Sequence, residues 1–212
     1  MIERFTRENY QALCAQVAKR DTELKGILKQ YGPPPFWVRP NRLETLVLTI
    51  LEQQVSLASA YAAYKRLKER VGNIAPEAIL ALSDEDLRGC YFSRQKIGYV
   101  RGLAMALSEG RISLKRYHYL PDEEVRGGLK QLKGIGDWTV DIYLLHALRR
   151  TDIFPLGDLA LVNSIREVKG LAPAVTKEEV LALAEPWRPY RSMATLLLWH
   201  SYIQRRGIRL EH

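Results

Sequence analysis

The hydrophobic residues of this chain recur mostly at intervals of three and four positions, which places them on one face of an α-helix. The clearest example follows Asn41, where the apolar positions are Leu43, Leu46, Val47, Ile50 and Leu51. A second long apolar helix is predicted from Tyr190 to Tyr202. No pair of alternating β-branched runs predicts a sheet. The pattern therefore predicts an all-α fold of about eight to ten helices.

Helix-capping residues support these predicted helices. Asn41 and Thr176 are each followed three residues later by a glutamate, which is the spacing of a capping box. Further N-caps are predicted at the serines that begin helical stretches, Ser56, Ser83 and Ser93. Gly110 suits the end of the helix that begins near Arg94, because glycine readily adopts the conformation that stops a helix.

Composition narrows the class of protein. Of the 212 residues 47% are hydrophobic, so the chain has enough apolar surface to form a core and is not intrinsically disordered. No apolar run approaches the roughly 20 residues that span a bilayer, and residues 1–8 lack the apolar core of a signal peptide. Cys14 and Cys90 are too few for a disulfide framework or a four-thiolate iron–sulfur cluster. We therefore expect a cytoplasmic protein in a reducing compartment.

A Gly-Ile-Gly turn joins two predicted helices near the middle of the chain. Gly134 and Gly136 allow positive φ and a close approach to the backbone, and Ile135 anchors the turn in the core. Unpaired amides at the start of the second helix suit a phosphate oxygen, and Lys130 and Lys133 add positive charge. The net charge, 32 − 24 = +8, agrees with a polyanionic partner. The alternative is a plain corner between two helices, where glycine is common.

A carboxylate follows the turn, twenty residues after Trp138. Asp158 comes directly after Pro155 and Gly157, where a new helix is predicted to begin. Aspartate is one of the best N-cap residues, so one interpretation is purely structural. The other is a fixed carboxylate that takes part in chemistry. The two are compatible, because a helix N-terminus favours the ionised form that such a role needs.

Four ordered segments of the chain resemble the helix–hairpin–helix DNA glycosylases, and most closely the 3-methyladenine DNA glycosylase II type. They are Ile50–Ser56 (ILEQQVS), Leu132–Thr139 (LKGIGDWT), Asp152–Leu159 (DIFPLGDL), and Pro189–Ser192 (PYRS) with Leu198-Trp199 behind it. The resemblance covers roughly residues 30 to 205. One departure from the family pattern is Gly157, where many relatives carry an acidic residue, and a second is Tyr190.

The resemblance implies a two-lobed helical bundle with a helix–hairpin–helix motif and a catalytic cleft between the lobes. We expect a single domain over residues 1–212, with lobe one at about 40–130 and lobe two at about 1–30 plus 131–212. The hairpin and Asp158 should lie at the mouth of the cleft. Larger relatives carry an N-terminal β domain, for which the residues before Asn41 are expected to leave no room.

The implied activity is base excision repair, in which the enzyme hydrolyses the N-glycosidic bond of alkylated purines, chiefly 3-methyladenine, in double-stranded DNA. The target nucleotide must be flipped out of the duplex for this chemistry. The resemblance places Asp158 at the catalytic carboxylate. Relatives that also cut the DNA backbone carry a lysine nucleophile where this chain has Trp138, so we expect a monofunctional glycosylase without lyase activity.

The resemblance also assigns the base pocket and the DNA contacts. Trp138 and Tyr190 match pocket positions, where an aromatic face attracts a cationic methylated purine; the family has Trp in place of Tyr190. Trp138 as a core residue is the alternative, and Trp199 is interpreted as core. The predicted DNA-binding residues are Gln53, Gln54, Lys130, Lys133, Gly134, Ile135, Gly136 and Thr139. For the two glutamines, the alternative to a loop in the minor groove is a solvated helix end.

The expected partner is double-stranded DNA with alkylated bases, bound by a monomer, with no membrane partner. No cofactor is expected to be required, and no iron–sulfur cluster. By resemblance, backbone carbonyls of Lys130, Leu132 and Ile135 are the candidate ligands of a structural Na⁺ or K⁺. The rival interpretations are the same scaffold acting on deaminated or oxidised bases, a non-catalytic DNA-binding module, and a helical scaffold for acidic proteins.

Overall fold

The computed structural model describes residues 3–172 and 174–208. Within these ranges the secondary structure is helical, and the only extended pairing is an isolated antiparallel bridge between Arg4 and Arg150. The all-α prediction is therefore confirmed. The predicted number of eight to ten helices was too low, because the described residues form thirteen α-helices and three of these have only four to six residues. Helices this short show no full apolar period in the sequence.

The first nine helices precede the Gly-Ile-Gly turn and the last four follow it. The first nine are α1 Tyr10–Ala18, α2 Thr22–Tyr31, α3 Leu43–Glu52, α4 Leu57–Val71, α5 Pro76–Ala81, α6 Asp84–Gly89, α7 Arg94–Ser108, α8 Leu114–Tyr117 and α9 Asp122–Lys130. The last four are α10 Asp137–His146, α11 Leu159–Lys169, α12 Lys177–Ala184 and α13 Arg191–Arg206. A short 3-10 turn, Glu185–Trp187, precedes α13.

The chain forms two compact units. The first unit contains the described residues up to Val38 and those from Leu144 onward, and the second unit contains Arg39–Tyr143. The boundary falls inside α10 rather than at residue 130, where the sequence interpretation placed it. Residues 131–143, including the Gly-Ile-Gly turn, therefore belong with residues 39–130.

The core of the second unit is built around α3, in which nine of the ten residues are buried and Glu44 is half-buried. α3 packs against α4 and α7, and α5 packs against α7. The buried carboxylate of Glu52, at the end of α3, accepts hydrogen bonds of 2.9 and 2.6 Å from the guanidinium of Arg39. Two parallel charge-assisted bonds satisfy this buried charge and hold the end of α3 in place.

The core of the first unit is built around α13, which is buried from Ser192 to Leu198. α13 packs against α1, α2 and α11. An ionic cluster lies beside this core. Asp21 caps α2 and accepts hydrogen bonds from the Lys169 ammonium (2.6 Å) and from the indole N–H of the buried Trp187 (2.9 Å). The cluster ties α2 to α11 and to the turn before α13.

Most predicted helix caps are confirmed. The serines at 56, 83 and 93 accept amide hydrogen bonds at the starts of α4, α6 and α7, and Thr176 forms the predicted capping box. Gly110 follows α7 with φ of +69°. The predicted cap at Asn41 is wrong, since α3 begins at Leu43 without a side-chain cap. Asn41 instead donates to the carbonyl of Leu114 and accepts from Tyr143.

Both cysteines, Cys14 and Cys90, are buried free thiols. Burial raises the pKa of Cys14 to about 12, so this thiol stays protonated near neutral pH. Among the described residues, no helix combines the length and the apolar character that a membrane crossing needs.

Candidate functional site

The Gly-Ile-Gly turn joins α9 to α10 and forms a tight helical hairpin. The amide of Ile135 donates to the carbonyl of Leu132 at 3.1 Å, and the amide of Val140 donates to the carbonyl of Gly136 at 3.1 Å. The side chain of Ile135 is buried, as predicted for an anchor of the turn. The first four amides of an α-helix have no partner within the helix. The start of α10 therefore offers the anion-binding geometry that the sequence predicts.

The two glycines of the hairpin have different roles. Gly134 has φ of +88°, and a Cβ there would lie 2.1 Å from the ring of Tyr99, so the fold itself requires glycine. Gly136 is exposed, is not among the positive-φ residues, and would meet nothing within 4 Å. The expectation of positive φ therefore holds for Gly134 alone. The space at Gly136 is open toward solvent, which leaves room for a ligand at the amides of α10.

The lysines of the hairpin also differ. The ammonium of Lys130 lies 2.6 Å from the carboxylate of Asp137, and its hydrogen bond holds the pKa of Asp137 below the ordinary value. Lys133 is exposed, and no carboxylate of a described residue lies within 4 Å of it. Lys133 is thus available to an anion, whereas a contact from Lys130 would compete with Asp137.

The two glutamines after α3 are placed differently. Gln54 is exposed and has φ of +59°, so the loop turns sharply there. Gln53 is half-buried, and its side-chain amide donates to the carbonyl of Gly134 (2.8 Å) and to the hydroxyl of Thr139 (2.9 Å). The interpretation of Gln53 as a solvated helix end is therefore wrong, and its amide hydrogens are already used within the protein. The buried Thr139 side chain does not face solvent either, so a ligand could reach only its backbone.

A cavity of about 380 Å³ lies beside the hairpin, within the second unit. It is bounded by both glutamines, by Lys96 and Tyr99 of α7, and by the turn Gly134–Gly136. Trp138, in the first turn of α10, is half-buried rather than part of the core. Trp138 therefore lies outside the core, but it is not among the residues that line this cavity.

Asp158 lies at the N-terminus of α11 in the first unit. A turn from Pro155, in which the amide of Asp158 donates to the proline carbonyl at 2.8 Å, leads into the helix. Oδ1 of Asp158 accepts a hydrogen bond from the amide of Leu161 at 2.8 Å, as an N-cap does. The same oxygen accepts the indole N–H of Trp199 at 2.9 Å. Two donors thus fix the orientation of a half-buried carboxylate.

Trp199 is a site residue that sequence reasoning missed. The sequence predicts a core residue here, yet Trp199 is half-buried and bonded to Asp158. Its ring is stacked on His146, with centroids 5.6 Å apart and an angle of 5° between the planes. His146 is in turn held by the carbonyl of Trp37, 2.8 Å from Nδ1. A helical period alone cannot reveal that a tryptophan donates to a residue 41 positions away.

Two residues of the Pro-Tyr-Arg-Ser segment, Arg191 and Ser192, hold the loop that leads to Asp158. Arg191 donates two hydrogen bonds to the carboxylate of Asp152, at 2.8 and 2.9 Å. The buried hydroxyl of Ser192 donates to the carbonyl of Arg150 and accepts from the amide of Ile153. Arg191 and Ser192 thus fix the loop before α11.

Tyr190, the second predicted pocket residue, is half-buried at the start of α13. The guanidinium of Arg20 lies over its ring, 5.6 Å from the centroid. One face of Tyr190 is therefore already in contact with a cation, which leaves at most the other face for a cationic base.

Metal ligation by side chains is not indicated in the part of the chain that the structure describes, where no three His, Cys, Asp or Glu side chains are grouped to hold an ion. The predicted carbonyl site involves no side chains. The carbonyl of Leu132 already accepts the amide of Ile135 and has one lone pair left for a cation.

Comparison with known proteins places this geometry in context. Residues 47–189 match the family model of the HhH-GPD superfamily of base excision DNA repair proteins. A putative DNA-3-methyladenine glycosylase of Bacillus subtilis is 31% identical over 188 residues, which are 85% of this chain and 66% of that protein. The chain therefore spans just under two thirds of the length of that relative.

Two further comparisons involve Schizosaccharomyces pombe. Its DNA-3-methyladenine glycosylase 1 is 35% identical over 172 residues, 76% of this chain and 75% of that protein. A structure of the 3-methyladenine DNA glycosylase of S. pombe in complex with abasic DNA superimposes with a TM-score of 0.81 at 30% identity, covering 89% of this chain and 95% of that one.

Proposed function

The chain belongs to the HhH-GPD superfamily of base excision DNA repair proteins, and we propose that it is a DNA glycosylase that excises alkylated purines, chiefly 3-methyladenine, from double-stranded DNA. The observation that carries the proposal is the carboxylate of Asp158, fixed by the amide of Leu161 and the indole of Trp199. The curated relatives are named for the same activity.

Cleavage of the N-glycosidic bond builds positive charge on the deoxyribose. An ionised and rigid carboxylate stabilises that charge without reorganising at the moment of reaction. In our proposal Asp158 does this and accepts a proton from the attacking water. The base leaves with the electron pair of the C1′–N bond, the water oxygen bonds to C1′, and the products are a free base and an abasic site.

Charge recognition explains the proposed preference for alkylated purines. A purine methylated at N3 or N7 carries a positive charge in DNA, and it leaves as a neutral base. The half-buried Trp138 offers an electron-rich face to such a cation, a contact of up to roughly 2 kcal/mol when desolvated. Tyr190 contributes less, because Arg20 already lies over one face. A base that is already a good leaving group needs little beyond such aromatic contacts and Asp158.

The hairpin is the proposed contact with the DNA backbone. A phosphate oxygen approaches the amides of α10 over the open position of Gly136, and Lys133 adds charge beside it. The exposed Gln54 is the proposed side chain that fills the gap left by the flipped nucleotide. Flipping costs a few kcal/mol, which these contacts offset.

We further propose that the enzyme is monofunctional, because Trp138 stands where a lyase would need a lysine to form a Schiff base. Incubation of the protein with abasic duplex DNA should give no strand cleavage, and borohydride should trap no covalent complex. A trapped complex would overturn this part of the proposal.

A monovalent cation at the hairpin is consistent with the chemistry of backbone carbonyls, which are hard oxygen donors. The carbonyls of Lys130, Leu132 and Ile135 would hold Na⁺ or K⁺, and the ion would add positive charge near the bound phosphate. DNA affinity measured at constant ionic strength should then differ between K⁺ and tetramethylammonium, which is too large for such a site.

The experiment that tests the function is release of bases from duplex DNA. Three duplexes would be used, carrying methylated purines, deaminated bases or 8-oxoguanine. The proposal expects release of 3-methyladenine and little from the other two. Release of deaminated or oxidised bases alone would favour the rival specificity, and DNA binding without any release would favour a non-catalytic module. A protein without DNA affinity, at any salt concentration, would favour the acidic-protein scaffold.

A further inference from the structure

Gln53 connects two DNA-facing parts of the second unit, the loop after α3 and the hairpin. Its backbone leaves α3 in an extended conformation, with φ of −62° and ψ of 122°. Its side-chain amide has two hydrogens, and both are donated across to the hairpin, to the carbonyl of Gly134 and to the hydroxyl of Thr139. One side chain therefore spans residues more than 80 positions apart in sequence.

The backbone of Gln53 is held as firmly as its side chain. The ammonium of Lys96 donates to the carbonyl of Gln53 at 2.9 Å and to the carbonyl of Leu51 at 2.7 Å. A cation at this position also suits the carboxyl end of α3, where carbonyl oxygens point outward. Lys96 is half-buried, so these bonds are only partly screened by water.

The hairpin side of the connection is equally constrained. Tyr99, one turn of α7 beyond Lys96, packs its ring where a Cβ of residue 134 would be. Gly134 thus has the ring of Tyr99 at the position of its missing Cβ and the side-chain amide of Gln53 bonded to its carbonyl. The hydroxyl of Thr139 is buried in the first turn of α10, the turn whose amides are the proposed phosphate contact.

We propose that Gln53 is a positioning residue that couples the exposed loop Gln54–Leu57 to the hairpin. The inference rests on the proposed function, in which the loop fills the gap in the base stack and the hairpin holds the backbone. With Gln53 in place, a phosphate bound at α10 fixes where Gln54 enters the duplex. Without Gln53, the loop and the hairpin bind DNA independently, and DNA contact at one of them no longer fixes the position of the other.

The first test needs no DNA. Gln53→Met keeps the length of the side chain and removes both donors. Amide hydrogen exchange at Ile135 and Val140, measured by NMR, should become at least about tenfold faster. The matched control is Gln131→Met, which makes the same change at an exposed position on the hairpin and should leave exchange unchanged. Unchanged exchange in folded Gln53→Met would overturn the proposal.

The second test measures coupling by a double-mutant cycle with Gln54→Ala, read out as the Kd for a duplex with a stable abasic-site analogue. We expect Gln54→Ala to weaken binding about tenfold, or about 1.4 kcal/mol, in the wild-type background. In the Gln53→Met background the same change should cost less than twofold. A tenfold loss in both backgrounds would show that the loop and the hairpin act independently, and the proposal would be wrong.

Two further measurements distinguish failure of this proposal from misfolding of the variant and from failure of the proposed function. If Gln53→Met does not fold, Thr139→Val replaces it, because valine keeps the shape of threonine and removes only one acceptor of the Gln53 amide. Faster exchange at Val140 supports the proposal in that variant, and unchanged exchange contradicts it. If the wild type does not bind the duplex, the proposed function fails, while the exchange measurement still decides whether Gln53 braces the hairpin.

Discussion

Replacing Trp199 by phenylalanine tests how Asp158 is held. The change removes the indole N–H that donates to Oδ1 at 2.9 Å. It keeps an aromatic ring that can stack on His146. Oδ1 still accepts the amide of Leu161, so the carboxylate loses one of the donors that orient it and gains freedom to rotate. We expect the chemical step to slow while DNA binding stays nearly unchanged.

The size of the effect follows from the hydrogen bond that is lost. A hydrogen bond to a charged group contributes about 1.5–3 kcal/mol, which corresponds to roughly 10- to 150-fold in rate. Trp199 and Asp158 are half-buried, so water replaces part of the lost interaction and the lower end applies. Single-turnover release of 3-methyladenine should therefore slow about tenfold, with a change in Kd for the substrate duplex of less than about threefold.

Trp187→Phe provides a matched control. Its indole N–H also donates to a carboxylate at 2.9 Å in the same unit, but the acceptor is Asp21, which caps α2. This variant should lose thermal stability and keep the single-turnover rate at temperatures where it is folded. The reasoning would be refuted if Trp199→Phe released base at the wild-type rate, or if Trp187→Phe slowed release as much as Trp199→Phe.

Three other predictions concern the hairpin and the ionic cluster. Gly136→Ala should change the free energy of unfolding by less than about 1 kcal/mol in a thermal melt, since a Cβ there meets nothing. The same variant should bind labelled duplex about tenfold more weakly in a titration, because the new methyl group blocks the amides of α10. Gly134→Ala should destabilise by at least about 2 kcal/mol, because of φ +88° and the ring of Tyr99, and adding Tyr99→Ala should recover only the steric part in denaturant melts. Burial opposes ionisation of Asp21, but hydrogen bonds, first from Lys169, outweigh it and lower the pKa of Asp21 below its ordinary value. The contribution of Asp21 to stability is therefore complete above about pH 4 and is lost as pH falls through the lowered folded pKa. Melting curves of Asp21→Asn should show a lower free energy of unfolding than wild type at neutral pH. The free energy of unfolding of this variant should also decline less below pH 4.

The fold was predictable where a helix has a full apolar period or a cap of its own. α3 and α13 combine long apolar faces with burial along their length, and Ser83 satisfies its cap within four residues. Asn41 shows where local reasoning fails. Its capping pattern is correct, but partners at Leu114 and Tyr143 compete for the side chain, and contacts that distant leave no local signal in the sequence.

In the candidate site, too, features with a local sequence pattern were predictable and those set by distant contacts were not. Local patterns, a helix start and a tight turn, predict Asp158 as an N-cap and Gly134 as a turn residue, whereas the catalytic role of Asp158 is implied by the resemblance alone. The role of Trp199 depends on a hydrogen bond over 41 positions, and that of Gln53 on two hydrogen bonds over 81 and 86 positions. No periodicity encodes such contacts. Arg191 belongs to a recognised motif, yet only the structure shows that it clamps Asp152.

The most direct test of the account compares wild type with Asp158→Asn for release of methylated bases from alkylated duplex DNA. Asparagine caps a helix as well as aspartate, so the variant should fold and bind DNA as the wild type does, and only the charge is lost. The account predicts that wild type releases 3-methyladenine and that Asp158→Asn releases it roughly a hundredfold more slowly. Release by Asp158→Asn at the wild-type rate would contradict the assignment of Asp158 as the catalytic carboxylate.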